Sequence, residues 1–194
     1  MPTQQMVIKD DTMNRSRALL AATLTASVLT ANATPFQLGT SYAGLNYALF
    51  AYRENGIGKD LEPTALVGKL GHFIFDQLSV EGRFGLGVSD DTIKAGNGVD
   101  VTGDLDRMFG LYATGHFPLG EHASVYALIG FTDIRATFST PGVSVSESDN
   151  GFTYGFGADI YMGSRFGINA EYTRYLDQTG YRFSATSIGA TLHF

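Results

Sequence analysis

The sequence contains no cysteine and no tryptophan. Without cysteine there is no disulfide framework and no thiolate metal site, although redox compartment stays open. Charge is also scarce: Asp, Glu, Lys and Arg make up 16% of the 194 residues, against about 25% in ordinary soluble domains. No apolar run reaches the ~18 residues that a membrane helix needs, so a bilayer is crossed, if at all, by strands. The histidines His72, His116, His122 and His193 lack the i, i+4 spacing and nearby carboxylates of a metal site, which leaves no metal or cofactor expected. There is no Gly-x-Ser-x-Gly elbow and no His-Ser-acid arrangement on the terminal strands, so the expectation is a protein that is not an enzyme. What is abundant is glycine (24), phenylalanine (14) and tyrosine (10), a composition that favours β structure with close backbone approaches.

Arg15 and Arg17 precede the apolar run 18–31, which leads into Ala31-Asn32-Ala33. These are the three parts of a secretory signal peptide in order. Residues 1–33 are expected to be a cleavable signal peptide and 34–194 the mature domain, with Met13 a more natural start than Met1. Cleavage removes three bases (Lys9, Arg15, Arg17) and two acids (Asp10, Asp11), shifting the net charge from −6 to about −7 and arguing against nucleic acid as a partner.

Beyond the signal, segments of roughly ten residues alternate in hydrophobicity between turn-rich stretches. The reading gives about eight strands: 39–52, 64–75, 78–88, 105–117, 123–138, 151–162, 165–175 and 181–194. On the third, Leu78, Val80, Phe84, Leu86 and Val88 oppose Ser79, Glu81, Arg83, Gly85 and Gly87, which puts the charges on one face. The second is blurred by Lys69 and His72. The fifth is apolar on both faces, with Ala127, Ile129 and Phe131 read as outward. The last alternates Ile188, Ala190, Leu192 and Phe194 with polar residues and ends on an aromatic.

Connections alternate between tight and long. Asp76-Gln77, residues 118–122 and Gly163-Ser164 are short, whereas 53–63, 89–104 and 139–150 read as long polar external loops. The short connection 177–180 is the exception, unless its flanking strands protrude as a hairpin.

Taken together, the signal peptide, the unit Phe75-Asp76-Gln77-Leu78-Ser79-Val80-Glu81, the strand 126–131, the run 151–158, Ile168-Asn169-Ala170-Glu171-Tyr172 and the terminal Phe194 resemble the small outer-membrane β-barrel family that includes the OmpA transmembrane domain, OmpX-like proteins and opacity-type porin-family proteins. The resemblance covers essentially the whole mature chain. It implies an all-β, eight-stranded antiparallel up-and-down transmembrane barrel in a Gram-negative outer membrane, with lipid and lipopolysaccharide as its surroundings. It also implies that the barrel-assembly machinery recognises the last strand, through Ile188, Ala190, Leu192 and Phe194. Family members range from anchors to adhesins, so the fold does not dictate one role.

Within such a barrel the inward charges Lys69, Glu81, Arg83, Asp159 and Glu171 are expected to form a structural ion-pair network in a lumen that side chains fill. Arg174, near the outer rim, is a candidate for a lipopolysaccharide phosphate. The expected function is structural or surface-interactive, meaning adhesion or envelope integrity, carried by the long external loops with an extracellular ligand. The alternatives are a narrow pore and a lipid-modifying barrel enzyme.

Overall fold

The computed structural model describes residues 36–54, 61–94, 99–177 and 181–194. The expected signal peptide lies outside the described residues. The chain forms β1 (Ser41–Glu54), β2 (Thr64–Phe75), β3 (Leu78–Ser89), β4 (Asp91–Lys94), β5 (Asp100–Pro118), β6 (Ala123–Thr140), β7 (Val143–Met162), β8 (Phe166–Asp177) and β9 (Tyr181–His193). Sheet order is β3-β2-β1-β9-β8-β7-β6-β5-β4, and the additional β3–β5 pairing closes it into a ring. The four-residue β4 only extends the outer end of β5. Eight long antiparallel strands therefore make the barrel, which leaves its wall no unpaired edge within the membrane.

Alternation sets which way each side chain points. On β6, Ser124, Tyr126, Leu128 and Thr132 are buried while Val125, Ile129 and Phe131 are exposed. The two doubtful orientations are thereby fixed: Ile129 and Phe131 face outward, and on β2 Lys69 points inward while His72 points outward. Exposed apolar side chains such as Leu45, Phe84, Leu111, Phe156 and Ile188 form a continuous outer coat. Hydrocarbon solvates that coat at no cost, whereas water would not. Inward glycines make room for large rings: a Cβ on Gly71 would collide with the Tyr42 ring, and one on Gly157 with the Tyr126 ring.

Two of the long external connections differ from the sequence reading. Stretch 139–150 is mostly strand, because β6 and β7 pair up to Thr140↔Val143 and leave only Pro141-Gly142 as a turn. Within stretch 89–104, Asp91–Lys94 and the start of β5 are paired strands, from Asp91↔Gly103 through Lys94↔Asp100. On the outer stretch of β7 the outward face is polar, Ser144, Ser146 and Ser148, since water surrounds it, and so the apolar outward face that marks a strand within lipid is missing. At the short connection the strands reach Asp177 and Tyr181, with Asp177↔Arg182 paired.

Candidate functional site

The lumen holds its polar groups at mid-height. Arg83 on β3 extends across the barrel to Glu171 on β8, its Nη2 donating to Oε2 at 2.8 Å and its Nη1 donating to Oε1. Its Nε donates to Glu81 on the same strand. Strand pleating places Glu81 and Arg83 two residues apart on one face, and barrel closure brings Glu171 opposite them. Tyrosines complete both carboxylates: Tyr42 donates to Glu81 at 2.6 Å and Tyr126 to Glu171 at 2.9 Å, while Thr173 donates to Glu171 at 2.7 Å. The guanidinium lies 4.9 Å from the centre of the Tyr112 ring. These charges are 2–3% exposed, a burial tolerable only because each is paired and hydrogen-bonded.

Lys69 and Asp159 are buried in the same lumen but join it by other contacts. Lys69 Nζ lies 5.9 Å from the Tyr126 ring centre, and Asp159 accepts a hydrogen bond from Ser124 at 3.1 Å. A separate hydroxyl chain runs from Tyr112 through Thr132 and Thr153 to the Tyr175 carbonyl. A pocket of about 10 Å³ beside Lys69, Glu81 and Asp159 has room for about one water.

Both ends of the lumen carry features that alternation along the strands could not disclose. At the end where β1 starts and β9 ends, Phe36 precedes β1 and enters the mouth, with its ring centre 5.2 Å from His116 and 5.4 Å from Tyr161. Its backbone has φ of 75°, an uncommon conformation for a bulky residue, and its carbonyl accepts from the Gln77 amide at 2.9 Å. At the opposite, outer end a cavity of about 340 Å³ opens between the hairpins, walled by Tyr52, Leu61, Ile134, Phe138, Tyr181 and Phe183 and edged by Asp104, Glu147 and Asp149. The inward parity of Tyr42, Tyr112 and Tyr126 was the one sequence signal for the rings that serve the charge network. None pointed to Phe36.

Arg174 faces outward between two tyrosines, donating to the Tyr172 hydroxyl at 3.3 Å, with its guanidinium 5.9 Å from the centre of the Tyr154 ring. On the closing strand Ile188 and Leu192 project outward opposite Tyr47 and Ala43 of β1, and Phe194 caps the seam with its ring half exposed. Between β4 and β5 Lys94 pairs with Asp100 at 3.4 Å, and among the described residues no three acidic or histidine side chains converge as a metal site.

The chain is 26% identical over 156 residues, 80% of its length and 87% of the relative's, to the attachment invasion locus protein of Yersinia enterocolitica. The crystal structure of Ail, the attachment invasion locus protein of Yersinia pestis, superposes with a TM-score of 0.60 at 24% identity, covering 81% of this chain and all of that one. The same protein is also known in complex with the heparin analogue sucrose octasulfate, at 23% identity, a TM-score of 0.60 and the same coverage. Neisserial surface protein A superposes with a TM-score of 0.62 at 14% identity, covering 80% of this chain and 99% of that one. The family model for the outer membrane protein beta-barrel domain matches residues 18–194. With a closed barrel, an oily coat and a polar filled interior, the chain belongs to the outer membrane protein beta-barrel domain family and is an integral protein of the Gram-negative outer membrane.

Proposed function

We propose that this protein is a surface-interaction barrel of the adhesion type, whose working surface is the sheet formed by the outer ends of β5, β6 and β7. The observation that carries this reading is the length of these strands, 19, 18 and 20 residues against 12 for β2, β3 and β8. A tilted strand needs only about 9–11 residues to cross the bilayer, so the surplus stands in the extracellular water. Along the outer stretch of β7, residues 143–153 pair with β6, whereas pairing with β8 begins at Tyr154. That leaves a polar strand edge on which an extended segment of a partner could add. The name of the Yersinia enterocolitica relative supports attachment as the role.

The chemistry of the crown differs from what a polyanion would require. At the outer ends, Glu62, Asp90, Asp91, Asp100, Asp104, Asp106, Glu147 and Asp149 outnumber Arg53, Lys94, Arg107, Arg135, Arg174 and Arg182. A protein surface of neutral or basic character fits this crown better than the heparin analogue bound by the Yersinia pestis protein. In this reading the lumen network is structural, Arg174 meets lipopolysaccharide phosphate, the last strand is the assembly signal, and no catalysis takes place. The test expresses the protein on a non-adherent host cell and measures attachment to cultured cells and to coated matrix proteins. Replacing residues 137–146 by a two-residue turn should abolish attachment while the barrel still migrates as folded on an unheated gel. Attachment that survives the replacement, or never occurs with the intact protein, overturns the reading, and a changed lipid A mass profile would favour the enzyme instead.

A further inference from the structure

The cavity at the outer mouth is not needed for attachment by the hairpins, and its chemistry is specific. Its volume, about 340 Å³, lies in the range of small-molecule sites, about 300–1,000 Å³. The Tyr52 ring stands at its centre, 5.6 Å from Phe138, 5.7 Å from Tyr181 and 6.4 Å from Phe183. The lining Phe183 stacks on the fully buried Phe50 at 4.9 Å, which backs the cup with packed side chains. The described residues lining it include three acids, Asp104, Glu147 and Asp149, and no base. Asp149 is engaged by the Tyr181 hydroxyl, which fixes one carboxylate against an aromatic wall, and Glu147 follows on the same inward face of β7.

Ring faces and carboxylates attract the same kind of group: a cation that is weakly hydrated and carries apolar bulk. We propose that the cup binds a small organic cation, an ammonium or amidinium attached to an aromatic or short aliphatic body. The body fills the space against Ile134 and Phe183, and the charge rests between the Tyr52 ring and Glu147. A neutral hydrocarbon would gain nothing from Glu147, and an anion would be repelled by the acidic lining.

The test uses the whole protein in phospholipid nanodiscs, titrated with benzyltrimethylammonium and followed by NMR shifts of backbone amides. Saturable shifts centred on Tyr52, Ile134 and Phe183 are expected, with the neutral isostere neopentylbenzene binding about tenfold more weakly or less. Glu147→Gln, which leaves the Asp149–Tyr181 contact in place, should weaken the cation severalfold, and raised salt should do the same. Tyr52→Ala should abolish saturation, with Phe138→Ala as the substitute if the former fails to migrate as a folded barrel. Equal binding of the neutral isostere, shifts confined to lipid-facing residues, or an unchanged affinity in Glu147→Gln would each overturn the proposal.

Discussion

Arg83 and Glu171, 88 positions apart in sequence, meet across the lumen as a two-pronged pair, and this contact spans the barrel from β3 to β8. It is a cross-brace that backbone pairing cannot supply, since the two strands are not neighbours in the sheet.

Arg83→Ala leaves Glu81 and Glu171 buried without their cation, a loss of about 3–5 kcal/mol. The temperature at which the folded band converts to the unfolded band on a gel should fall sharply. Arg83→Lys should recover only part of the loss, because an ammonium cannot present two parallel donors. An unchanged transition in Arg83→Ala would remove the cross-brace from the account.

Much of this was legible from sequence. The outward faces of β3, β7 and β8 follow from strict alternation, and so does the inward placement of Glu81, Arg83, Asp159 and Glu171. Alternation states a face but not an angular position around the ring, so it could not say that Glu171 rather than Asp159 meets Arg83. Phe36 escaped because it precedes the first strand and follows no period. The outer part of β7, 143–150, escaped because Ser144 and Ser146 meet water on the outside, where no lipid enforces a pattern, and pair through their hydroxyls with Ser139 and Thr137 of β6.

The filled lumen predicts that the purified protein adds no discrete conductance steps to a planar bilayer. Phe50, Met108, Tyr112, Leu128 and Tyr175 are nearly inaccessible, and the pocket near Lys69 has room for only about one water. Reproducible steps from a homogeneous sample would mean that the Arg83 layer opens.

Phe36→Ala should lower the unfolding transition by about 3 kcal/mol, the usual loss for a buried phenylalanine. The ring contacts Phe73, His116, Tyr161 and His193 at once, so its removal opens the mouth that faces the periplasm. If the variant melts with the parent, the ring is a bystander.

Depth within the membrane separates two otherwise similar substitutions. Ile129 projects outward from the middle of β6, whereas Ser144 lies on the outward face of the protruding stretch of β7, and both are exposed. Ile129→Arg should cost about 2–4 kcal/mol and Ser144→Arg close to none, because the penalty for a lipid-facing charge is greatest at the bilayer midplane. Equal costs at the two sites, read from reversible folding into lipid vesicles, would contradict the placement of the membrane around the lower barrel.

Phe194 tests whether the last strand is read during assembly. Its amide donates to the Ser41 carbonyl at 2.8 Å and its carbonyl accepts from the Ser41 amide at 2.8 Å, so its backbone forms the final rung of the β1–β9 seam. Its ring adds little to the lumen, pointing outward and half exposed. Phe194→Ser keeps the rung and removes only the ring, so spontaneous refolding into detergent should be nearly unchanged. Insertion in cells depends on the aromatic if the assembly machinery recognises it, and the folded outer-membrane fraction should then fall severalfold while unfolded protein accumulates in the periplasm. Deleting Phe194 removes rung and ring together and should impair both processes. Normal insertion of Phe194→Ser in cells would show that closure of the seam, and not recognition of the terminal ring, is what assembly requires.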